Sequence, residues 1–237
     1  MKYIRTFLIL SWFCFVFTIA AIASVFRWGD PNLVKDYFRL FSKGALWLCG
    51  IKMKIEGIEN LEAKTPCVYV ANHQSALDVA LYGSICPDRM LIIGKKEIIY
   101  IPLFGFYFKA AGNILINRQH KSAAHESIEL AAKKIKEQKV SIGIFPEGTR
   151  NRNGIGLLPF KKGAFHLAMK AGVPIVPMVC SPLSKVMDIQ KKDFKGGVIT
   201  MRILPPMNST SFTKENIGQV AIETRELMLK HLNELSC

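Results

Sequence analysis

Asn72-His73-Gln74-Ser75-Ala76-Leu77-Asp78 holds the residues best suited to do chemistry. Imidazole is the side chain most often used to take a proton from a hydroxyl near neutral pH and to return it later. A carboxylate on one ring nitrogen sets the tautomer and stabilises the imidazolium that forms. His73 and Asp78 are five residues apart and would lie on different faces of one unbroken helix. A helix that begins between them removes that obstacle. Ser75-x-x-Asp78 has the form of a capping box, with Asp in the usual place of Glu, and predicts a helix start at Ser75. The same spacing equally suits a plain cap, with His73 bonded to a neighbour. A serine nucleophile is not indicated, because there is no G-x-S-x-G elbow and Ser75 is used by the cap.

A second cluster, Pro146-Glu147-Gly148-Thr149-Arg150, directly follows the apolar run VSIGIF. Gly148 permits close backbone approach, Thr149 offers a hydroxyl, and Arg150 offers a planar fork of donors matched to phosphate. An ordinary turn after a strand shares this composition.

The elements that must position these clusters are short. Strands are predicted at Lys52–Glu56, Cys67–Ala71, Met90–Gly94, Asn113–Asn117, Val140–Phe145, Ile175–Cys180 and Val198–Leu204. Helices are predicted at Ser75–Ile85, Ser122–Gln138, Lys161–Lys170 and Thr213–Leu235, with Gly172 as a C′ glycine and Thr213 as a cap. This alternation predicts an α/β fold, a single layered domain with a mostly parallel or mixed sheet flanked by helices. Both clusters then fall at carboxyl ends of strands, where ligands gather in such sheets.

The 237 residues suit one domain and a short extra segment. From Thr6 to Phe26 no residue is charged, enough for roughly 30 Å of helix, about a bilayer's hydrocarbon thickness. Ala21-Ile22-Ala23 resembles a signal-cleavage site, but the apolar run is too long for a typical signal. Residues 31–49 read as amphipathic, with Leu33, Tyr37, Leu40, Phe41, Ala45 and Leu48 near one face. A single span and a helical hairpin dipping into one leaflet both fit. The expected division is a membrane anchor of one or two helices at 1–50, then a domain at 51–237.

Lys and Arg number 32 against 18 Asp and Glu, a net charge of +14 that favours anionic partners. Neither a helix-turn-helix pattern nor an aromatic RNA-binding signature is present, so nucleic acid is not expected. The six cysteines have no CxxC spacing and no histidine at ligand spacing, so no metal site is expected. Lysine pairs at 133–134, 161–162 and 191–192 suit either anionic headgroups or a solvated face. The apolar run Ile98–Phe108 suits the lining of an apolar channel, a membrane contact or buried core.

Together these residues resemble the glycerolipid acyltransferase family. Its N-H-x-S-x-x-D block stands at Asn72–Asp78 and its F-P-E-G-T-R block at Phe145–Arg150. A second block matches Gly94-Lys95-Lys96-Glu97, Pro102, Gly105 and Gly112–Arg118, and a fourth matches Val173-Pro174-Ile175-Val176-Pro177. Asn117 stands where many members carry Asp.

The resemblance implies His73 as general base and Asp78 as its orienting carboxylate, with Asn72 and Ser75 structural. It implies Arg118, Glu147, Gly148, Thr149 and Arg150 as ligands of the acceptor's glycerol-phosphate, and no cofactor. The implied donor is an acyl-CoA or acyl carrier protein thioester, and the implied acceptor is lysophosphatidic acid. The reaction would use the free sn-2 hydroxyl, with backbone N–H groups near the helix start holding the oxyanion. The implied location is the cytoplasmic (inner) membrane, its lipid a partner, with the active site facing the cytoplasm. Glycerol-3-phosphate or another lysophospholipid is an alternative acceptor. More distant alternatives are a membrane-tethered hydrolase and a basic binding protein.

Overall fold

A computed structural model describes residues 2–61, 66–117, 121–151, 156–188 and 193–236. Two helices come first, α1 (Lys2–Phe26) and α2 (Asn32–Cys49), the second closed by Gly50 in the left-handed conformation. Then follow β1 (Ile51–Glu56), β2 (Val68–Ala71), α3 (Asp78–Gly83), β3 (Met90–Lys95), α4 (Phe104–Ala110) and β4 (Ile114–Ile116). The chain continues through α5 (Lys121–Gln138), β5 (Ser141–Ile144), α6 (Gly163–Ala171) and β6 (Ile175–Cys180). A two-stranded ribbon, β7 (Met187–Asp188) and β8 (Asp193–Phe194), precedes β9 (Gly197–Ile203) and α7 (Ile217–Ser236).

Seven strands form one mixed sheet in the order β1-β9-β6-β2-β5-β3-β4. Every pairing is parallel except β6 with β9. The central strands are buried along their whole length (Val68–Ala71 on β2, Ile175–Cys180 on β6), as a parallel sheet covered on both faces requires. All seven sheet strands lie where the alternation of short β-branched runs predicts them.

Helix boundaries depart more. α3 begins at Asp78, three residues beyond the predicted start, because residues 75–77 form a tight turn in which Leu77 N–H donates to Ser75 Oγ (2.9 Å). α7 begins at Ile217. Thr213 instead closes the turn ahead of it, its Oγ accepting from Asn216 N–H at 3.2 Å. Gly172 does end α6 in the left-handed conformation, donating to Ala168 O.

The run after residue 96 divides between interior and surface. A 3₁₀ turn (Lys96–Tyr100) leads into α4, whose Phe104, Tyr107 and Phe108 are buried, while Tyr100 and Phe106 are exposed. α2 buries Leu33, Val34, Phe38, Phe41, Ser42, Ala45, Leu46 and Cys49, a wider face than predicted and rotated from it, leaving Leu40 exposed. The reason is that α2 packs against α1, α3 and β1 together.

α1 is long and apolar enough to cross a membrane. One of its faces is nonetheless part of the protein core. Val16, Phe17 and Ala20 are fully buried, and Phe17 meets Phe104 edge-on with ring centroids 4.6 Å apart. The Trp12 indole N–H donates to Phe41 O at 3.0 Å, closing α1 onto α2. At its start Arg5 donates to Phe194 O, and just past its end Gly29 N–H donates to Ala110 O. The opposite face exposes Ile4, Phe7, Leu10, Phe15, Ile22, Val25 and Phe26.

Candidate active site

β2 and β5 are parallel neighbours with Val70 opposite Ile144, so their chains leave the sheet at the same edge. His73 and Glu147 lie a few residues beyond those exits. β6, on the other side of β2, ends at the same edge and supplies the anchors. Asn72 Oδ1 accepts from Cys180 N–H (2.8 Å) and from the Tyr82 hydroxyl (2.6 Å), and its amide donates to Cys180 O (3.1 Å). Gln74 donates to Ser181 O (3.2 Å) and accepts from Leu183 N–H (2.9 Å). The residues on either side of His73 are thereby fastened to β6.

The His73 ring is held on two sides. Its Nδ1 lies 2.6 Å from Asp78 Oδ2. A carboxylate only accepts, so Nδ1 carries the proton and the lone pair of a neutral ring is on Nε2. Phe145 stacks on the imidazole with centroids 4.0 Å apart and planes within 10°. The side chain retains 14% exposure, enough for a substrate to reach it.

Asp78 is fully buried, and its Oδ2 accepts from three groups: His73, Gln74 N–H (2.6 Å) and Ser75 N–H (2.9 Å). One of the two bonds of a capping box is therefore present, from Ser75 N–H to Asp78, while Ser75 Oγ accepts from Leu77 N–H and not from Asp78. A carboxylate removed from water needs such donors, since burial otherwise costs it several kcal/mol or more. The same contacts use up the backbone donors near the helix start. The N–H groups of Gln74, Ser75 and Leu77 are all engaged, so these three do not form the expected oxyanion site.

Glu147 sits differently from a ligand of a bound acceptor. It is 3% exposed, and its two oxygens accept backbone N–H bonds from His73 (2.8 Å) and Leu158 (2.9 Å). Burial raises its carboxyl above the ordinary value, and the two backbone donors work against that rise. With Asn151 N–H donating to His73 O at 2.7 Å, the loop after β5 grips the His73 backbone at both ends. Beyond Glu147, Gly148 takes φ +70°, and Thr149 and Arg150 are exposed. Arg118 lies outside the described residues. Sequence reasoning missed the Phe145 stack and the Tyr82–Asn72 contact. Phe145 was visible only as the first letter of its block, and nothing in the sequence pairs Tyr82 with Asn72.

A family model of acyltransferases matches residues 52–181, which include His73, Asp78, Phe145 and the Glu147–Arg150 turn. The 1-acyl-sn-glycerol-3-phosphate acyltransferase of Haemophilus influenzae is 36% identical over 236 residues, covering 99% of this chain and 96% of that protein. The chain belongs to the acyltransferase family. Similarity extends across kingdoms. The human 1-acyl-sn-glycerol-3-phosphate acyltransferase alpha is 33% identical over 226 residues, covering 95% of this chain and 79% of its own length. The crystal structure of the 1-acyl-sn-glycerophosphate acyltransferase from Thermotoga maritima superposes with a TM-score of 0.77 at 26% identity, covering 99% of this chain and 98% of that one. The acyltransferase match begins inside β1, yet the similarity to the bacterial relatives includes α1 and α2.

Proposed function

We propose that this acyltransferase moves a fatty acyl group from a thioester to the free sn-2 hydroxyl of 1-acylglycerol-3-phosphate, giving phosphatidic acid. The observation that carries the mechanism is the 2.6 Å contact between His73 Nδ1 and a fully buried Asp78. The acceptor follows from the names of the relatives, each a 1-acyl-sn-glycerol-3-phosphate acyltransferase. The acceptor's phosphate docks at Arg118, Gly148, Thr149 and Arg150, and its hydroxyl lies beside His73 Nε2.

His73 takes the hydroxyl proton as the oxygen attacks the thioester carbonyl. The tetrahedral intermediate collapses, the C–S bond breaks, and the thiolate leaves with the proton returned by His73. Asp78 opposes the positive charge carried by the ring between those two transfers. No acyl-enzyme is needed, because the thioester is already activated and holding both reactants in place supplies much of the acceleration. Glu147 braces the His73 backbone and does not touch the phosphate. The donor is an acyl-CoA or acyl carrier protein thioester, both anionic and suited to a chain of charge +14.

The enzyme works at the cytoplasmic membrane surface, with α1 lying along the domain and its exposed apolar face in lipid. This reading rests on the attachment of both ends of α1 to the same body, at Phe194 and near Ala110. A span would carry one end away from it.

The test is acyl transfer by detergent-solubilised protein, with lysophosphatidic acid, glycerol-3-phosphate and lysophosphatidylcholine each offered with each donor. Phosphatidic acid made by the wild type and not by His73→Ala is the expected result. Transfer to a different acceptor overturns the substrate assignment, and an active His73→Ala enzyme overturns the mechanism.

A further inference from the structure

The residues 161–162 carry two lysines that the sequence cannot tell apart, and the fold sends them in different directions. Lys161 N–H donates to Pro146 O at 2.8 Å, pinning its backbone beside the turn that leads from Phe145 to Gly148. Its side chain then lies across Gly148. A β-carbon on Gly148 would stand 2.8 Å from Lys161 Cε and 3.1 Å from its Nζ. Gly148 leaves that space open for the lysine as well as accepting φ +70°. Lys162 instead reaches Gly218 near the start of α7, where a β-carbon would meet its Nζ at 3.1 Å.

Lys161 is exposed and forms no ion pair with a described residue. The one carboxylate of the neighbouring turn, Glu147, is turned inward onto two backbone N–H groups and leaves the ammonium without a counter-charge. Nor does Lys161 help the helix that follows, because a cation ahead of the first turn opposes the helix dipole. Among the described residues no carboxylate pairs with it, which leaves the ammonium open to an anion from outside the chain. The same turn begins at Phe145, three residues before Gly148, and Phe145 is stacked on His73.

We propose that Lys161 is a binding residue for the acceptor's phosphate, its ammonium lying over Gly148 in the turn that begins at Phe145. This rests on the proposed reaction and adds a cation that the family blocks do not contain. In lysophosphatidic acid the sn-2 hydroxyl and the phosphate ester oxygen are separated by two carbons. An ammonium at Gly148 therefore selects acceptors whose hydroxyl is that close to a phosphate monoester. It contributes to acceptor binding and not to the thioester.

The experiment measures steady-state kinetics of the full chain in detergent for wild type, Lys161→Met, Lys161→Arg and Lys162→Met, varying lysophosphatidic acid and the thioester separately. Lys161→Met is expected to raise KM for lysophosphatidic acid about 10- to 100-fold, the range for loss of a hydrogen bond to a charged group. KM for the thioester stays unchanged, Lys161→Arg recovers most of the loss, and Lys162→Met matches wild type. Unchanged KM for the acceptor, an equal rise for both substrates, or no recovery by Arg overturns the assignment.

A second measurement does not depend on turnover. Acetic anhydride labelling of Lys161, read by mass spectrometry, is expected to be suppressed by glycerol-3-phosphate and not by glycerol. Absence of that protection refutes the phosphate site even if the protein acylates lysophosphatidic acid. Protection in a protein that acylates nothing retains the site and rejects the proposed reaction. Sedimentation with anionic vesicles separates the other source of phosphate: Lys161→Met that loses vesicle binding but keeps its acceptor KM assigns the lysine to the bilayer surface instead.

Discussion

Replacing Asp78 with asparagine separates the charge of the carboxylate from its shape. One oxygen, Oδ2, accepts from His73 Nδ1, Gln74 N–H and Ser75 N–H, whereas Oδ1 is buried without a partner. An asparagine with its carbonyl oxygen in the place of Oδ2 keeps all three bonds and the same His73 tautomer. Its NH2 group takes the place of Oδ1, exchanging one unpartnered polar atom for another, so stability changes by about 1 kcal/mol or less. Only the negative charge is lost.

Bonds to charged groups contribute about 1.5–3 kcal/mol against about 0.5–1.5 for neutral ones, and low local dielectric enlarges the difference for an imidazolium. A loss of about 2–4 kcal/mol in the transition state corresponds to about 30- to 1000-fold in kcat. Asp78→Ala additionally orphans two buried backbone N–H groups, costing about 1–3 kcal/mol of stability each. The assay is thiol release from the thioester with saturating lysophosphatidic acid, paired with denaturant unfolding. The expected order of turnover is wild type, then Asp78→Asn, then His73→Ala at background, with Asp78→Asn as stable as wild type. Wild-type turnover by Asp78→Asn would refute a role for the charge. A stability loss matching that of Asp78→Ala would refute the single-oxygen arrangement.

Burial raises the folded-state value of Glu147 above its ordinary 4.5, so its titration contributes stability that is present below pH 4.5 and lost as pH rises through the raised value. A glutamine at the same position does not titrate and has no such dependence. The stability advantage of wild type over Glu147→Gln should therefore shrink from pH 4.5 toward neutrality in denaturant unfolding, and an advantage that grows would contradict the buried-carboxylate account. Phe145→Leu removes the ring stacked on His73 and should lower kcat about 2- to 10-fold with little change in either KM; an unchanged kcat would show that the stack does not position the base. Phe17→Ala opens a cavity among Phe13, Phe38, Phe41, Phe104 and Tyr107 and should cost about 3–5 kcal/mol of unfolding free energy. A loss below about 1 kcal/mol, roughly the cost of a surface change, would show that α1 is not part of the core.

The strands were legible because their signal is local: short β-branched runs bounded by turn residues mark Ile175–Cys180 or Met90–Lys95 without reference to a partner. The His73–Asp78 pair was legible for a similar reason, since both residues and the turn between them lie within seven consecutive positions. Helix starts were read less well. Ser75 and Thr213 have the side chains of caps, but regular helix waits for Asp78 and Ile217 because tight turns intervene.

Tertiary structure alone decided what meets across the sheet. The order β6-β2-β5 brings Cys180 to Asn72 and Glu147 to His73, pairs separated by 108 and 74 residues. Glu147 illustrates the gap. Beside Gly148, Thr149 and Arg150 in sequence it reads as part of a phosphate site, yet its carboxylate turns inward because two backbone N–H groups across the fold need an acceptor. Lys161 and Lys162 make the same point from the surface. Adjacent residues of one type acquire different neighbours, because the sequence sets what a side chain is able to bind and only the packed chain sets what stands within its reach.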